Sequence, residues 1–192
     1  MADRLSALAN LSAPPTTEGA GATLAELRPA AIALVAAWPD TAEDTGKMIG
    51  ELFGEAPGPV GTFVENDPVT MITTAPGRTV LISESDDLAS ALSTALPASQ
   101  AAVTDLSHAR TMLRLTGDTA AEILGKGLAI DLHTSVFAPG RAAQSVIHHM
   151  DVLVIRREDE VFDLLVFRSF GLSLAEWLID AGLEFDIGFK PT

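Results

Sequence analysis

One order of elements runs twice along this chain, and that duplication restricts its fold more than any single motif does. Residues 31–38 are an apolar run bounded by Pro29 and Pro39, the pattern of a buried strand. Thr41 is placed to cap a following helix that carries Met48, Ile49, Leu52 and Phe53 on one stripe and stops at Gly54. A Gly- and Pro-rich loop over 55–67 leads to strands at 69–73 and 78–83, joined through Pro76-Gly77. Ser85 then opens a helix with Leu88, Leu92 and Leu96 four residues apart. The second half repeats this order. After the segment Val103-Thr104-Asp105-Leu106 comes a strand over 111–115, then a helix from Asp118 or Thr119 bearing Ala121, Ile123, Leu124 and Leu128. A long strand or bent pair over 143–157 pairs with 161–169 through the charged turn Glu158-Asp159-Glu160. Ser173 caps the last helix, with Leu174, Trp177, Leu178 and Ala181 facing inward. Even the helix openings match, Asp40-Thr41-Ala42 against Asp118-Thr119-Ala120. One duplication with an offset of about 78 to 85 residues is not a solenoid, which stacks three or more shorter repeats. The expectation is an α+β fold of two strand–helix–strand–strand–helix halves, each sheet covered on one face by helices.

Residues 1–23, rich in Ala, Ser, Thr, Pro and Gly, predict a flexible N-terminal arm with room for a short helix over 3–9. The remainder, 24–192, reads as a single α+β domain made of two pseudo-repeats at about 29–97 and 103–185. The chain carries 12 basic and 26 acidic side chains, a formal charge of −14, so binding to nucleic-acid phosphates by bulk electrostatics is excluded. With 47% hydrophobic residues it is not a disordered chain. The longest apolar run, 30–38, is about half of the ~20 residues a membrane helix needs. Asn10, Ser12, Pro14 and Pro15 interrupt any leader-like stretch. No membrane association is expected, and the cytoplasm is the expected compartment. There is no cysteine, which removes disulfides, thiolate metal sites and cysteine nucleophiles together.

No constellation of catalytic residues emerges. Adjacent strand residues point to opposite faces, so His148 and His149 do not converge on one metal, and His108 and His133 lack a helical partner. Asp105, Ser107 and His108 offer the three groups of a triad, but as neighbours on a strand they diverge. Backbone hydrogen bonding by Asp105 and Ser107 is the expected role, and a hydrolase built on Ser107 and His108 is the weak alternative. Gly125-Lys126-Gly127 follows a helix instead of preceding one, so it terminates that helix and does not cradle phosphate. Arginine stands out. Residues 1–96 hold four basic and thirteen acidic residues, whereas 97–192 hold eight and thirteen. Arg110, Arg141 and Arg168 are therefore the candidate contacts for a partner or for a ligand carboxylate. No catalytic, cofactor-binding or metal-binding residue is assigned.

The second half also carries a resemblance. The run Val103-Thr104-Asp105-Leu106-Ser107-His108-Ala109-Arg110-Thr111-Met112-Leu113-Arg114-Leu115-Thr116-Gly117 resembles the gamma-subunit family of heterotetrameric sarcosine oxidases. So do Gly125-Lys126-Gly127-Leu128-Ala129-Ile130-Asp131-Leu132-His133 and Phe137-Ala138-Pro139-Gly140-Arg141-Ala142-Ala143-Gln144. Phe162-Asp163-Leu164-Leu165-Val166-Phe167-Arg168-Ser169-Phe170 continues the likeness to Trp177, and the whole match covers about 102–185. The resemblance implies a fold similar to the folate-binding domain of glycine-cleavage aminomethyltransferases. It implies a non-catalytic, structural subunit of an oxidoreductase complex, with alpha, beta and delta chains as partners and alpha as the main one. Such a complex demethylates sarcosine oxidatively to glycine and passes the one-carbon unit to tetrahydrofolate. Its FAD, FMN, NAD and zinc belong to the other subunits. Two alternatives remain at this point: a freestanding module of the same fold that binds folate or a small acid, and the gamma subunit of a related N-methyl amino acid dehydrogenase complex.

Overall fold

The computed structural model describes residues 5–191. In chain order the elements begin with β1 (Thr23–Leu27), β2 (Ala31–Ala37), α1 (Ala42–Phe53), β3 (Thr62–Asn66), β4 (Val69–Ala75), β5 (Arg78–Ser83) and α2 (Leu88–Ala95). They continue with β6 (Ala101–Asp105), β7 (Arg110–Thr116), α3 (Ala120–Gly125), β8 (Ala142–Ile147), β9 (Met150–Glu158), β10 (Val161–Phe167), α4 (Gly171–Gly182) and β11 (Gly188–Lys190). This is the expected α+β class.

The chain forms two compact units. One comprises residues up to 28 together with those from 108 onward, and the other is 29–107. In the 29–107 unit the strands run β3-β4-β5-β2-β6, and β2 is paired antiparallel on both sides. Its apolar sequence suits that central place: Ala31, Ala33 and Val35 pack with Met71, Leu81, Ile49, Leu88 and Leu92 in one core. In the other unit the order is β11-β1-β7-β10-β9-β8. Leu24, Leu113, Leu115, Phe162, Leu164 and Val166 meet Ile123, Leu124, Leu174 and Leu178 of the two helices. Each such side chain, fully buried, contributes about 1.5–3 kcal/mol.

The unit bounds differ from the contiguous repeats expected at 29–97 and 103–185, and the pairing shows why. β1 lies next to β2 in sequence but pairs antiparallel with β7. β6 lies next to β7 in sequence but pairs antiparallel with β2. β1 and β6 have each joined the sheet that does not contain that neighbour in sequence. Residues 103–106, expected to lead into the second half, thus complete the first sheet.

Several local expectations are corrected. The loop over 55–67 contains β3, and β1 and β11 lie in segments where no strand was expected. Thr41 stands at the N-cap of α1, but its hydroxyl donates to the carbonyls of Trp38 and Gln100, not back to the helix. Ser85 donates to Asp87 Oδ1 at 2.6 Å, and α2 starts after Asp87. Ser173 lies inside α4, whose N-cap is Phe170. Leu52 of the expected α1 stripe is exposed, whereas Ile49 is buried as expected, together with Thr45, and Met48 and Phe53 pack against the same core. Gly54 does close α1, in the left-handed conformation at φ 84° that a glycine adopts without penalty.

Part of the expected N-terminal arm is held against its unit. Residues 7–10 form a turn, and residues 3 and 4 of the expected helix lie outside the described residues. Leu8 enters the core of the unit. Buried Glu26 on β1 accepts hydrogen bonds from the backbone N–H of Ala7 at 2.9 Å, from Thr111 Oγ1 at 3.3 Å and from the Ser6 hydroxyl. Pro15 bridges to Phe189 in parallel, and Phe189 N–H donates to the Pro14 carbonyl at 2.7 Å. A Cβ placed on Gly188 would lie 2.2 Å from Thr16 Cα, closer than backbone can allow. Gly188→Ala is therefore expected to push residues 14–16 off β11 at a cost of about 1–3 kcal/mol. Limited proteolysis should then cut within residues 10–20; wild-type resistance in the variant would contradict this.

Candidate interaction site

The end of the β7–β10 pair brings arginine together with exposed aromatic side chains. Arg110 opens β7 directly opposite Phe167, the last residue of β10. Its guanidinium carbon lies 3.6 Å from the centre of the Phe167 ring. Such a contact is worth about 0.5–1 kcal/mol when exposed and more when desolvated. Arg110 Nε is buried and has no hydrogen-bond partner among the described residues. Burial pushes its pKa down, opposed by the charge of Asp151. Just beyond β10 the chain makes a 3₁₀ turn over Arg168–Phe170. Arg168 N–H donates to the Ala109 carbonyl at 2.9 Å, and its Nη2 donates to the Leu5 carbonyl. Leu5, Phe167 and Phe170 are 77%, 39% and 42% exposed.

Of the three arginines singled out from the sequence, the fold brings together Arg110 and Arg168. Arg141 lies elsewhere. It precedes β8, its carbonyl accepts from Arg156 N–H at 2.9 Å, and its exposed guanidinium has no hydrogen-bond partner among the described residues.

Three further arginines escaped the sequence reading, and all are structural. Asp163 of β10, fully buried, receives Arg114 in a two-pronged pair, Nε to Oδ1 at 2.6 Å and Nη2 to Oδ2 at 2.8 Å. Arg157 Nε donates to Asp163 Oδ2 as well. The Asp163 hydrogen bond raises the Arg114 pKa, against desolvation. Arg156, also buried, donates through Nη1 to the carbonyls of Leu132 and Phe137 at 2.7 and 2.8 Å, and through Nη2 to that of Asp159 at 2.7 Å. The signal for the first pair was present. A lone charge inside an apolar strand has to be paired, and Arg114 and Asp163 are such charges on strands that prove to be neighbours.

Several other polar groups singled out in the sequence are held locally. Ser107 accepts from Ile32 N–H at 3.0 Å and donates to the Ile32 carbonyl at 3.3 Å, while its own N–H donates to Asp105 Oδ1 at 2.8 Å. This is the backbone role expected for Asp105 and Ser107. His148 and His149 form the two-residue turn between β8 and β9, with His148 at φ 54°, and are not strand residues as expected. The His148 ring stands edge-on to Trp177 at 5.6 Å. Gly125 ends α3. No cluster of three or more His, Asp or Glu able to hold a metal occurs among the described residues, and no described helix is long and apolar enough to cross a membrane.

The architecture is an α+β fold shared with a glycine-cleavage aminomethyltransferase. It superposes on the glycine cleavage system aminomethyltransferase T of Bartonella henselae with a TM-score of 0.63 at 14% identity, over 88% of this chain and 48% of that one, a likeness of fold alone. A chain of the heterotetrameric sarcosine oxidase from Corynebacterium sp. U-96, in complex with pyrrole 2-carboxylate, superposes with a TM-score of 0.79 at 28% identity, over 90% of this chain and 89% of that one. The model of the sarcosine oxidase, gamma subunit family matches residues 63–184. The sarcosine oxidase subunit gamma of Arthrobacter sp is 32% identical over 139 residues, 72% of this chain and 64% of that protein. Its counterpart from Corynebacterium sp. (strain U-96) is 31% identical over 137 residues, 71% of this chain and 62% of that protein. The aligned region is thus a little under two thirds of the length of those relatives. This chain belongs to the sarcosine oxidase, gamma subunit family.

Proposed function

We propose that this chain is the non-catalytic gamma subunit of a heterotetrameric sarcosine oxidase-like flavoenzyme complex. The complex demethylates sarcosine oxidatively to glycine in the cytoplasm and transfers the one-carbon unit to tetrahydrofolate. Alpha, beta and delta chains are its partners, alpha foremost, and they carry the FAD, FMN, NAD and zinc. The single observation that supports this most is the nearly end-to-end superposition on a chain of a heterotetrameric sarcosine oxidase.

The test is co-expression with the other three chains of such an oxidase. This chain is expected to co-purify in a yellow complex and to be colourless alone. A monodisperse chain that never co-purifies would overturn the proposal, and heat on titrating the isolated chain with tetrahydrofolate would favour a freestanding binding module. Arg141→Ala is expected to weaken retention in the complex. Because that guanidinium is exposed, the variant should cost the isolated chain less than about 0.5 kcal/mol by thermal melting.

A further inference from the structure

We infer that Arg110, Phe167, Arg168 and Phe170 form the docking surface for an Asp or Glu side chain that another subunit presents within an apolar surround. This rests on the assembly role proposed above and assigns it a place. The donor geometry selects the ligand group. One face of the Arg110 guanidinium is covered by Phe167 and its Nε is buried, so its Nη groups, which make no hydrogen bond among the described residues, are the donors a ligand can reach. Asp151, the acidic group whose field reaches it, makes no ion pair with it among the described residues. A partly desolvated guanidinium left with an open donor is best completed by a carboxylate, which accepts charge-assisted hydrogen bonds from the rigid fork.

The surround selects a protein as the carrier. Leu5, Phe167 and Phe170 are exposed, and the Leu5 carbonyl is held by Arg168. Arginine and aromatic side chains ringed by apolar surface are the composition of interface hot spots, where water is excluded around one strong polar contact. Charge complementarity points the same way. On a chain of net charge −14, two arginines beside exposed aromatics are a local exception, able to recognise an acidic group that most of the surface would repel.

The experiment uses the co-expressed complex, with tagged chains carrying Arg110→Glu, Arg110→Lys or Phe170→Ser. Leu52→Ser, an exposed apolar residue on α1, serves as control. Retention of the other subunits is measured against concentration, alongside the melting and sedimentation of each isolated chain. Arg110→Glu is expected to weaken retention by about 30-fold or more and the other two by about 10-fold, with no change for Leu52→Ser. Should Arg110→Glu fail to fold, Arg110→Lys and Phe170→Ser decide the matter. Wild-type assembly together with full retention by the Arg110 variants overturns this inference and leaves the proposed function standing. Failure of the wild-type chain to assemble removes both. Loss of self-association with retention intact assigns the patch to a second copy of this chain and also overturns it.

Discussion

Asp163→Asn is expected to lower the unfolding free energy by about 3–5 kcal/mol, the usual cost of removing one partner from a buried ion pair. For a chain of this size that corresponds to a fall in melting temperature of roughly 10 °C. The reason is that one carboxylate answers two guanidinium groups. Asp163 is fully buried, Arg114 holds both of its oxygens, and Arg157 shares one of them. The amide keeps the shape but offers a single neutral acceptor, leaving two cations with little to offset their desolvation. The exposed pair Lys47–Glu43, at 2.7 Å, has the same chemistry and none of this leverage, since water screens it. The sign with pH follows from Arg114. Its folded pKa is raised, so its contribution is complete below the ordinary guanidinium value and fades only in strong alkali. Urea and thermal unfolding of the two proteins at neutral pH measure the loss, and a difference under about 1 kcal/mol would contradict the argument. A second variant separates charge from packing: replacing Asp163, Arg114 and Arg157 together by apolar residues of similar volume should be far less damaging than Asp163→Asn.

The duplicated grammar was legible because it is written locally. An apolar run between prolines, a period-two alternation and apolar side chains at helical spacing announce β2, β7 and the helices whatever the rest of the chain does. The exchange of β1 and β6 was not legible, because each strand is three or four residues from its neighbour in sequence and more than 60 from the strand it joins. Nothing in the run Thr23-Leu24-Ala25-Glu26-Leu27 tells which edge will take it. Its buried Glu26 even argues against a core strand until Ser6 and Ala7 are seen to satisfy that carboxylate. The caps failed for a related reason. Thr41, Ser85 and Ser173 are the right residue types, but the Thr41 hydroxyl bonds the carbonyls of Trp38 and Gln100, that of Ser85 bonds the Asp87 carboxylate, and Ser173 falls inside α4. At the candidate site, the excess of arginine in the second half pointed to Arg110 and Arg168. It did not separate them from Arg114, Arg156 and Arg157, because an arginine at a strand end is structural or available according to which loop closes over it. Here residues 132–137 closed over Arg156, and nothing among the described residues closed over Arg141.

That closure makes Arg156 the second position of large effect. Its guanidinium joins two parts of the chain: the carbonyls of Leu132 and Phe137 in the stretch between α3 and β8, and those of Glu158, the last residue of β9, and Asp159 in the β9–β10 turn. The ring of Phe162 lies 5.0 Å from its carbon. Each hydrogen bond from a charged donor is worth about 1.5–3 kcal/mol net, and the carbonyls left behind lose their partner. The terms share one group and do not add, so Arg156→Ala is expected to cost about 3–5 kcal/mol. Arg156→Lys tests whether charge or shape carries the effect. An ammonium is a point donor on a flexible stem and cannot serve two loops at the angle the planar fork does, so it should recover less than half of the loss. The sharper readout is hydrogen exchange. Amides at 132–137 and 158–160 should lose protection together in both variants, while those of β4 and β5 in the other unit keep theirs. Protection retained at 132–137 in an otherwise destabilised Arg156→Ala would mean that this segment is held by Leu132 and Phe137 in the core, and not by the arginine beneath their carbonyls.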